Sequence, residues 1–375
     1  MRQKLLPLAV ASAVVSAPVM AQSNVQVYGV MDLGYSYMSG SDNGLIPVDF
    51  KSRSAIDSGN QAESRLGFRG TEDLGNGLKA FFTIESGLSP DTSSQTTSSR
   101  HAFVGLEGGF GRVSLGRHMN PVREMLSDLD PFGAAGVGSM ENIYRTTVWI
   151  DNSIRYMSPD LSGFRVGGSY SNRVEMNFLG FDLPTVITDI PGDEIAIPKG
   201  VDNINTRFMS LVGSYSRGPL TAGLTYEHLK NDAVGYKEKR WNLLGSYDFG
   251  VVKVSAAFGT VKSEFFDALD VDGKQWMLAA TVPVSEAGTV LFSYNRSKRD
   301  IDVGSFDLGS LKGSQWAVGY NHALSKRTNV YATYAHAKGN TIAETLGLHD
   351  VGPGPNGWLA GNYRKGVNIG IRHNF

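Results

Sequence analysis

The chain contains no cysteine, so it can form neither a disulfide scaffold nor a thiolate metal site, and it has no catalytic thiol. Charge is also scarce: only 19% of the 375 residues are Asp, Glu, Lys or Arg. The signs nearly cancel, 35 basic against 36 acidic, which removes the surplus that nucleic-acid binding draws on. Beyond Ala21 no apolar run approaches the ~18 residues of a membrane-spanning helix. The 14 prolines are few, and the 45 glycines follow no three-residue period, which excludes a collagen-like chain. Disorder is excluded by a 41% apolar content.

What the sequence does contain begins with a secretory leader over residues 1–21. Arg2 and Lys4 precede an apolar stretch from Leu5 to Val15, and Val19-Met20-Ala21 offers a cleavage site. Residues 22–375 then form one unit dominated by alternation of period two, in segments of roughly ten residues. In the last segment Val367, Ile369, Ile371 and Phe375 are apolar, with Asn368, Arg372 and Asn374 between them. Val25, Val27, Leu33 and Tyr35 against Gln26, Asp32 and Ser36 repeat the pattern, as do Trp241, Leu243 and Tyr247 against Asn242, Ser246 and Asp248.

Connections alternate between short and long. Short ones fall near Glu72 to Gly77, Glu107 to Gly111 and Ala323 to Lys326, for example. Long ones include Ser39 to Gln61, His118 to Ile150, Val174 to Ile204, Glu264 to Asp272, Lys298 to Leu311 and Gly339 to Gly361. Seven short and eight long connections separate sixteen strands. An even number of alternating strands, with both termini on the short-turn side, predicts an all-β fold: a 16-stranded antiparallel transmembrane β-barrel. Closure pairs every backbone group, the condition for β-structure in hydrocarbon. A barrel this wide holds water in its lumen. On this parity a charge at outward Val367 is costly and one at inward Asn368 is cheap.

Several stretches resemble a known family. They are Tyr28-Gly29-Val30-Met31-Asp32, Ser64-Arg65-Leu66-Gly67-Phe68-Arg69-Gly70, Arg100-His101-Ala102-Phe103-Val104-Gly105-Leu106, Gly111-Arg112-Val113-Ser114-Leu115-Gly116-Arg117 and Asn152-Ser153-Ile154-Arg155-Tyr156, with the terminal Phe375. Together they are similar to the general porins of Gram-negative outer membranes, of the beta-proteobacterial and neisserial type. The resemblance implies a homotrimer in the bacterial outer membrane, a third external loop folded into the lumen as a constriction, and Phe375 as an assembly signal. The family's acidic turn in that loop is matched by Asp130-Pro131-Phe132-Gly133, with the carboxylate before the proline rather than after it.

A channel acts on ions through the charges that line it. Arg65 and Arg100 match the family's basic constriction wall, and Arg155 is their third member. Arg65 and Arg155 lie inward by parity; Arg100 is placed with Ala102 and Val104, with His101 and Phe103 outward. Glu85 supplies a wall carboxylate. The loop from about Met119 to Ile150 carries Glu124, Asp128, Asp130 and Glu141 against Arg123 and Arg145. Such a site passes small ions and hydrophilic solutes by passive diffusion, with a weak anion preference; the alternative for the arginines is that they only pair structurally with the loop.

No cofactor is implied, and the seven histidines show no metal-ligand spacing. Two other functions are open to a barrel of this kind. A substrate-selective solute channel needs stacked aromatics along the lumen, and inward aromatics are sparse apart from Tyr28 and Phe81. An outer-membrane β-barrel hydrolase needs a histidine beside an inward partner, which parity does not supply. The acidic stretch from Val174 to Ile204 reads as a solvated loop, with a second reading as a holder of divalent cations between lipopolysaccharide groups.

Overall fold

A computed structural model of the protein describes residues 24–39, 52–92, 96–144, 146–174, 206–232, 235–265, 269–339 and 364–375. The expected leader, most of the acidic stretch, Arg145 and most of the last long connection lie outside the described residues. Alternation does build the sheet. The first half comprises β1 (Asn24–Met38), β2 (Arg53–Ser58), β3 (Arg65–Gly75), β4 (Leu78–Leu88), β5 (Thr96–Gly108), β6 (Gly111–Met119), β7 (Trp149–Met157) and β8 (Phe164–Ser171). The second half comprises β9 (Arg207–Arg217), β10 (Leu220–Asn231), β11 (Tyr236–Asp248), β12 (Lys253–Phe265), β13 (Leu269–Pro283), β14 (Gly288–Val303), β15 (Phe306–Ala323), β16 (Thr328–Gly339) and β17 (Lys365–Asn374). Among the described residues the α-helix α1 (Pro121–Ser127) and a 3-10 turn at Met140–Asn142 lie between β6 and β7.

Neighbouring segments pair antiparallel, and β17 pairs with β1 from Val30↔Asn374 to Met38↔Gly366, which closes the barrel. Seventeen segments fill sixteen strand positions because β2 and β3 share one: β1 pairs with β3 over Asn24–Val30 and with β2 over Leu33–Met38. Residues 59–64 leave the ladder between them. Six residues of the expected connection from Ser39 to Gln61, Arg53–Ser58, are therefore strand.

Much of two other expected connections is also strand among the described residues. The β12–β13 ladder runs to Phe265↔Leu269, and β14–β15 runs to Val303↔Phe306. Their charges and glycines read as loop, but alternation persists with its sense reversed. Ile150, Phe208, Leu229, Tyr236 and Phe265 form a buried cluster inside, while Asp270, Asp272 and Lys274 point out.

Through the rest of the barrel the apolar face is the exposed one: Val27, Leu243 and Ile369 expose more than half their area. Between them Asp32, Ser36, Asn242 and Asn368 are buried. The lipid-facing sense predicted for the barrel therefore holds strand by strand.

The cheapness expected of Asn368 is overturned. Its side chain donates to Ser36 Oγ (2.7 Å) and Asn60 Oδ1 (3.0 Å) and accepts from the Val137 amide (2.9 Å), so a charge there breaks a buried polar network. Stability should separate the two faces elsewhere. Leu243→Arg is expected to destabilise the folded barrel by about 2–4 kcal/mol, and Arg69→Gln on the inner face by less than about 1 kcal/mol. Urea unfolding in detergent micelles or vesicles checks this; equal midpoints would reject the assigned faces.

Candidate functional site

The arginine wall grows from a ladder irregularity. Ile84 pairs with Ala102 but Ser86 with Ser99, so β5 carries one extra residue opposite Glu85. Such a bulge re-aims side chains. Arg100 therefore points inward although Ala102 and Val104 are exposed, and the expected placement of Phe103 outward is reversed. Phe103 stacks on His118 at 4.6 Å, His101 packs edge-on to Phe103 at 5.5 Å, and both His118 ring nitrogens contact serine hydroxyls, Ser114 and Ser153, at 2.8 Å. Simple parity cannot see a bulge. Aromatics on the inner side are accordingly more numerous than expected, but Tyr144 and Tyr331 are buried against polar partners rather than lining a free face.

Glu85 sits at the centre. It accepts from Arg100 Nε (2.5 Å) and the Tyr28 hydroxyl (2.9 Å), and Arg65 Nε lies 3.5 Å away. Arg100 is buried and also pairs with Glu63, a residue of the 59–64 excursion that sequence reasoning did not single out. Arg65 remains part-exposed. Arg155 stands apart from these two, clamped by Glu124 of α1 through two bonds of 2.8 and 2.5 Å. The wall from β17 through β5 holds Arg65, Arg69, Arg100 and Arg372 against Asp32, Glu63 and Glu85. Of these acids, Asp32 is already held by the Tyr331 hydroxyl (2.5 Å) and the amides of Gln61 (2.5 Å) and Ala62 (2.7 Å).

The segment between β6 and β7 is fastened at widely separated points. Asn120 caps α1 and donates to Glu227 on β10 (2.6 Å), and the Tyr144 hydroxyl donates to Asn242 on β11 (2.7 Å). Asn142 donates to Gln315 on β15 (3.1 Å), whose amide donates to the Ser139 carbonyl (3.1 Å). Val137 reaches Asn368 on β17. Beneath these bonds Val122, Leu126, Leu129, Met140 and Tyr144 pack on Val212, Leu244 and Met277. At the tip Gly136 has φ +63°, and a Cβ there would collide with the Asn60 carbonyl, so the 59–64 excursion and the tip fit only through a glycine.

The loop acids divide by role. Glu124 meets Arg155, Glu141 meets Arg123 (2.6 and 2.9 Å), and Asp128 is exposed. Asp130 is buried and faces no water; it accepts from the amides of Phe132 (3.0 Å), Ala134 (3.2 Å) and Met140 (2.8 Å), organising the turn. Phe375 closes the seam. Its backbone exchanges two 3.1 Å bonds with Gly29, and its ring occupies the space a Gly29 side chain would need.

A closed barrel with an apolar exterior and a charged, hydroxyl-rich interior defines a membrane channel of the β type. Comparison with known proteins places it further. A family model described as Gram-negative porin matches residues 8–341. Over its whole length the chain is 33% identical to outer membrane porin protein 32 of Delftia acidovorans, covering all of both chains. It is 25% identical, again over both full lengths, to major outer membrane protein P.IB of Neisseria meningitidis serogroup B / serotype 15. Among solved structures, the anion-selective porin from Comamonas acidovorans superposes with a TM-score of 0.69 at 28% identity, covering 94% of this chain and 100% of that one. The trimer form of Vibrio cholerae OmpT shares the fold with a TM-score of 0.63 at 14% identity, covering 94% and 99%. The chain belongs to the Gram-negative porins and is a multi-pass barrel of the bacterial outer membrane.

Asp130 gives this site a pH signature. Burial pushes its carboxyl up to about 6, opposed by the Met140, Phe132 and Ala134 amides and reinforced by Glu141. The folded value lies above the ordinary 3.8, so the folded state binds the proton more tightly. The seating of the loop is therefore strongest below the ordinary value and weakens as pH rises through about 6. Amide exchange at Phe132, Ala134 and Met140, corrected for its intrinsic rate, should quicken across that window in the wild type and lose the step in Asp130→Asn. A step of equal size in both proteins would reject the role.

Proposed function

We propose that the protein is a passive diffusion channel for small ions and hydrophilic solutes with a weak anion preference, rather than an enzyme, and that it works as a homotrimer. The segment over 120–148 is the third external loop, folded into the lumen as the constriction. The observation that carries this reading is its set of hydrogen bonds to β10, β11, β15 and β17: one segment reaches strands so far apart around a closed barrel by crossing its interior. Arg65, Arg100 and Arg155 are the basic wall, Glu85 and Glu124 the facing acids, and Asp128 the loop carboxylate nearest to water. Asp130 serves that loop by shaping it.

The sign of the selectivity rests on balance. Four wall cations face three carboxylates, while Arg155–Glu124 and Arg123–Glu141 cancel as pairs. Guanidinium stays charged at every physiological pH, which favours anions. The Comamonas acidovorans relative is an anion-selective porin, which supports the same sign, and the trimer form of OmpT supports the assembly.

The test is the zero-current potential of the purified protein in a planar bilayer under a salt gradient. Arg65→Glu should move it toward cations, by more than Arg155→Glu. Arg100→Glu crowds three carboxylates together and is expected to lower folded yield as well. The wild-type bias should shrink as salt rises, since the Debye length falls from ~10 Å at 0.1 M to ~3 Å at 1 M. An unchanged potential in Arg65→Glu would remove the basic wall; absence of conductance would remove the channel. Deleting Phe375, the assembly signal, should lower the amount of folded protein in the outer membrane, and wild-type yield after deletion would remove that role.

A further inference from the structure

The inner side of β4 to β7 carries a row of rings that the charge balance of the wall leaves unexplained. Phe81 packs edge-on to Phe103 at 6.1 Å, Phe103 to His101 at 5.5 Å, and His101 to Trp149 at 5.2 Å. Guanidiniums stand over both ends. Arg112 Cζ lies 4.2 Å from the centre of the Phe81 ring, and at the other end the Trp149 ring meets Arg100 Cζ at 4.9 Å and Arg117 Cζ at 5.5 Å. Trp149 is thus the ring of this row that touches Arg100 of the wall.

The stack completes the surroundings of a buried cation. Arg100 engages carboxylates with its edge, Nε on Glu85 and the Nη1 end on Glu63, which leaves the flat face of the guanidinium to be covered. That face is weakly hydrated, and an indole is the best π partner a side chain offers it. A leucine could cover the same face but has no quadrupole to attract the charge. Trp149 also stands on a fixed base. It opens β7 opposite Met119, and Asn120 binds the two residues before it, through its amide to the Val148 carbonyl (2.9 Å) and its side chain to the Thr147 carbonyl (3.0 Å). Asn120 caps α1, so the indole is anchored at the neck of the segment between β6 and β7.

We propose that Trp149 is a positioning residue of the selectivity wall: its ring fixes the plane of Arg100, and through Arg100 it decides which arginine Glu85 answers. The role rests on the basic wall proposed above. With the plane held, Glu85 is taken by Arg100 at 2.5 Å, and Arg65, the more exposed of the two, stands off at 3.5 Å. Without the ring Arg100 turns, and Glu85 closes on Arg65. No charge is lost, yet the cation nearer to water is then the one neutralised. Because the same indole sits at the neck, displacing the segment and weakening the anion preference become one event.

Progressively fluorinated tryptophans at position 149 test this, since they keep the shape of the ring and drain its negative face. In a planar bilayer the zero-current potential of the full-length protein should move stepwise toward cations as fluorine is added. Trp149→Leu should move it at least as far, and Trp149→Phe, which keeps a π face, by less than Trp149→Leu. Each shift should be smaller than that of Arg65→Glu, which reverses a charge. In an Arg100→Gln background fluorination should have no effect. Arg117 still stands over the ring in that variant, so a shift of the same size there would assign the effect to Arg117 and overturn the proposal. Heat-modifiability equal to wild type confirms that the fluorinated proteins are folded. A potential that ignores fluorine while Arg65→Glu still moves it overturns the positioning role and leaves the wall standing. A potential that ignores both removes the wall, and this role with it.

Discussion

Backbone hydrogen bonding is the constraint from which the rest of the molecule follows. A sheet in hydrocarbon cannot leave an edge, because every unpaired N–H and C=O there costs several kcal/mol. The last ladder, β17 against β1, is therefore the decisive one, and the chain finishes it down to its terminal residue: Phe375 exchanges both backbone bonds with Gly29. Glycine at position 29 is what lets the terminal ring lie flat on the seam. Closure then fixes two environments, a lipid-facing exterior and an interior that must satisfy polar groups.

That interior is filled by a polar scaffold rather than by a hydrophobic core alone. Asn368, Ser36 and Asn60 bond to one another and to the tip at Val137, while Asn242, Gln315 and Glu227 hold the other fastening points. Buried networks are stable when every member is satisfied. The interrupted strand matters here. Because the ladder breaks between β2 and β3, residues 59–64 fold back to supply Asn60 to this network, the Gln61 and Ala62 amides to Asp32, and Glu63 to Arg100. One excursion thus ties the arginine wall to the loop that faces it.

The alternation of Trp241, Leu243 and Tyr247 against Asn242 and Ser246 makes the barrel legible, because a period of two survives wherever one face meets lipid. Arg65, Arg155 and Glu85 are legible for the same reason. Arg100 is placed inward as expected, but parity misassigns its neighbours Ala102, Val104 and Phe103, since a single extra residue opposite Glu85 resets the alternation and leaves no mark in the sequence. The outer parts of β12 to β15 read as loops because lysines, aspartates and glycines there lie on a face that meets water. Glu63, Asn60 and Asn368 escape notice as partners because their contacts join positions some 40 to 300 residues apart, and no local pattern encodes them.

The arginines illustrate why pairing and conduction need not compete. Arg155 and Glu124 meet through two short bonds, a geometry that fixes the helix α1 against its wall. The Arg155 side chain is 16% exposed and that of Glu124 33%, so the pair keeps a water-facing side, which in the proposed channel is the side a passing ion meets. Arg100, buried between Glu85 and Glu63, is the opposite case: its charge is largely answered, and it holds Glu85 where Arg65 and Tyr28 can reach it. Exposure therefore ranks the wall. Arg69 is exposed and Arg65 part-exposed, so in the proposed channel these two are the ones that present charge to the waterway, while the buried Arg100 holds the Glu85 that Arg65 and Tyr28 reach.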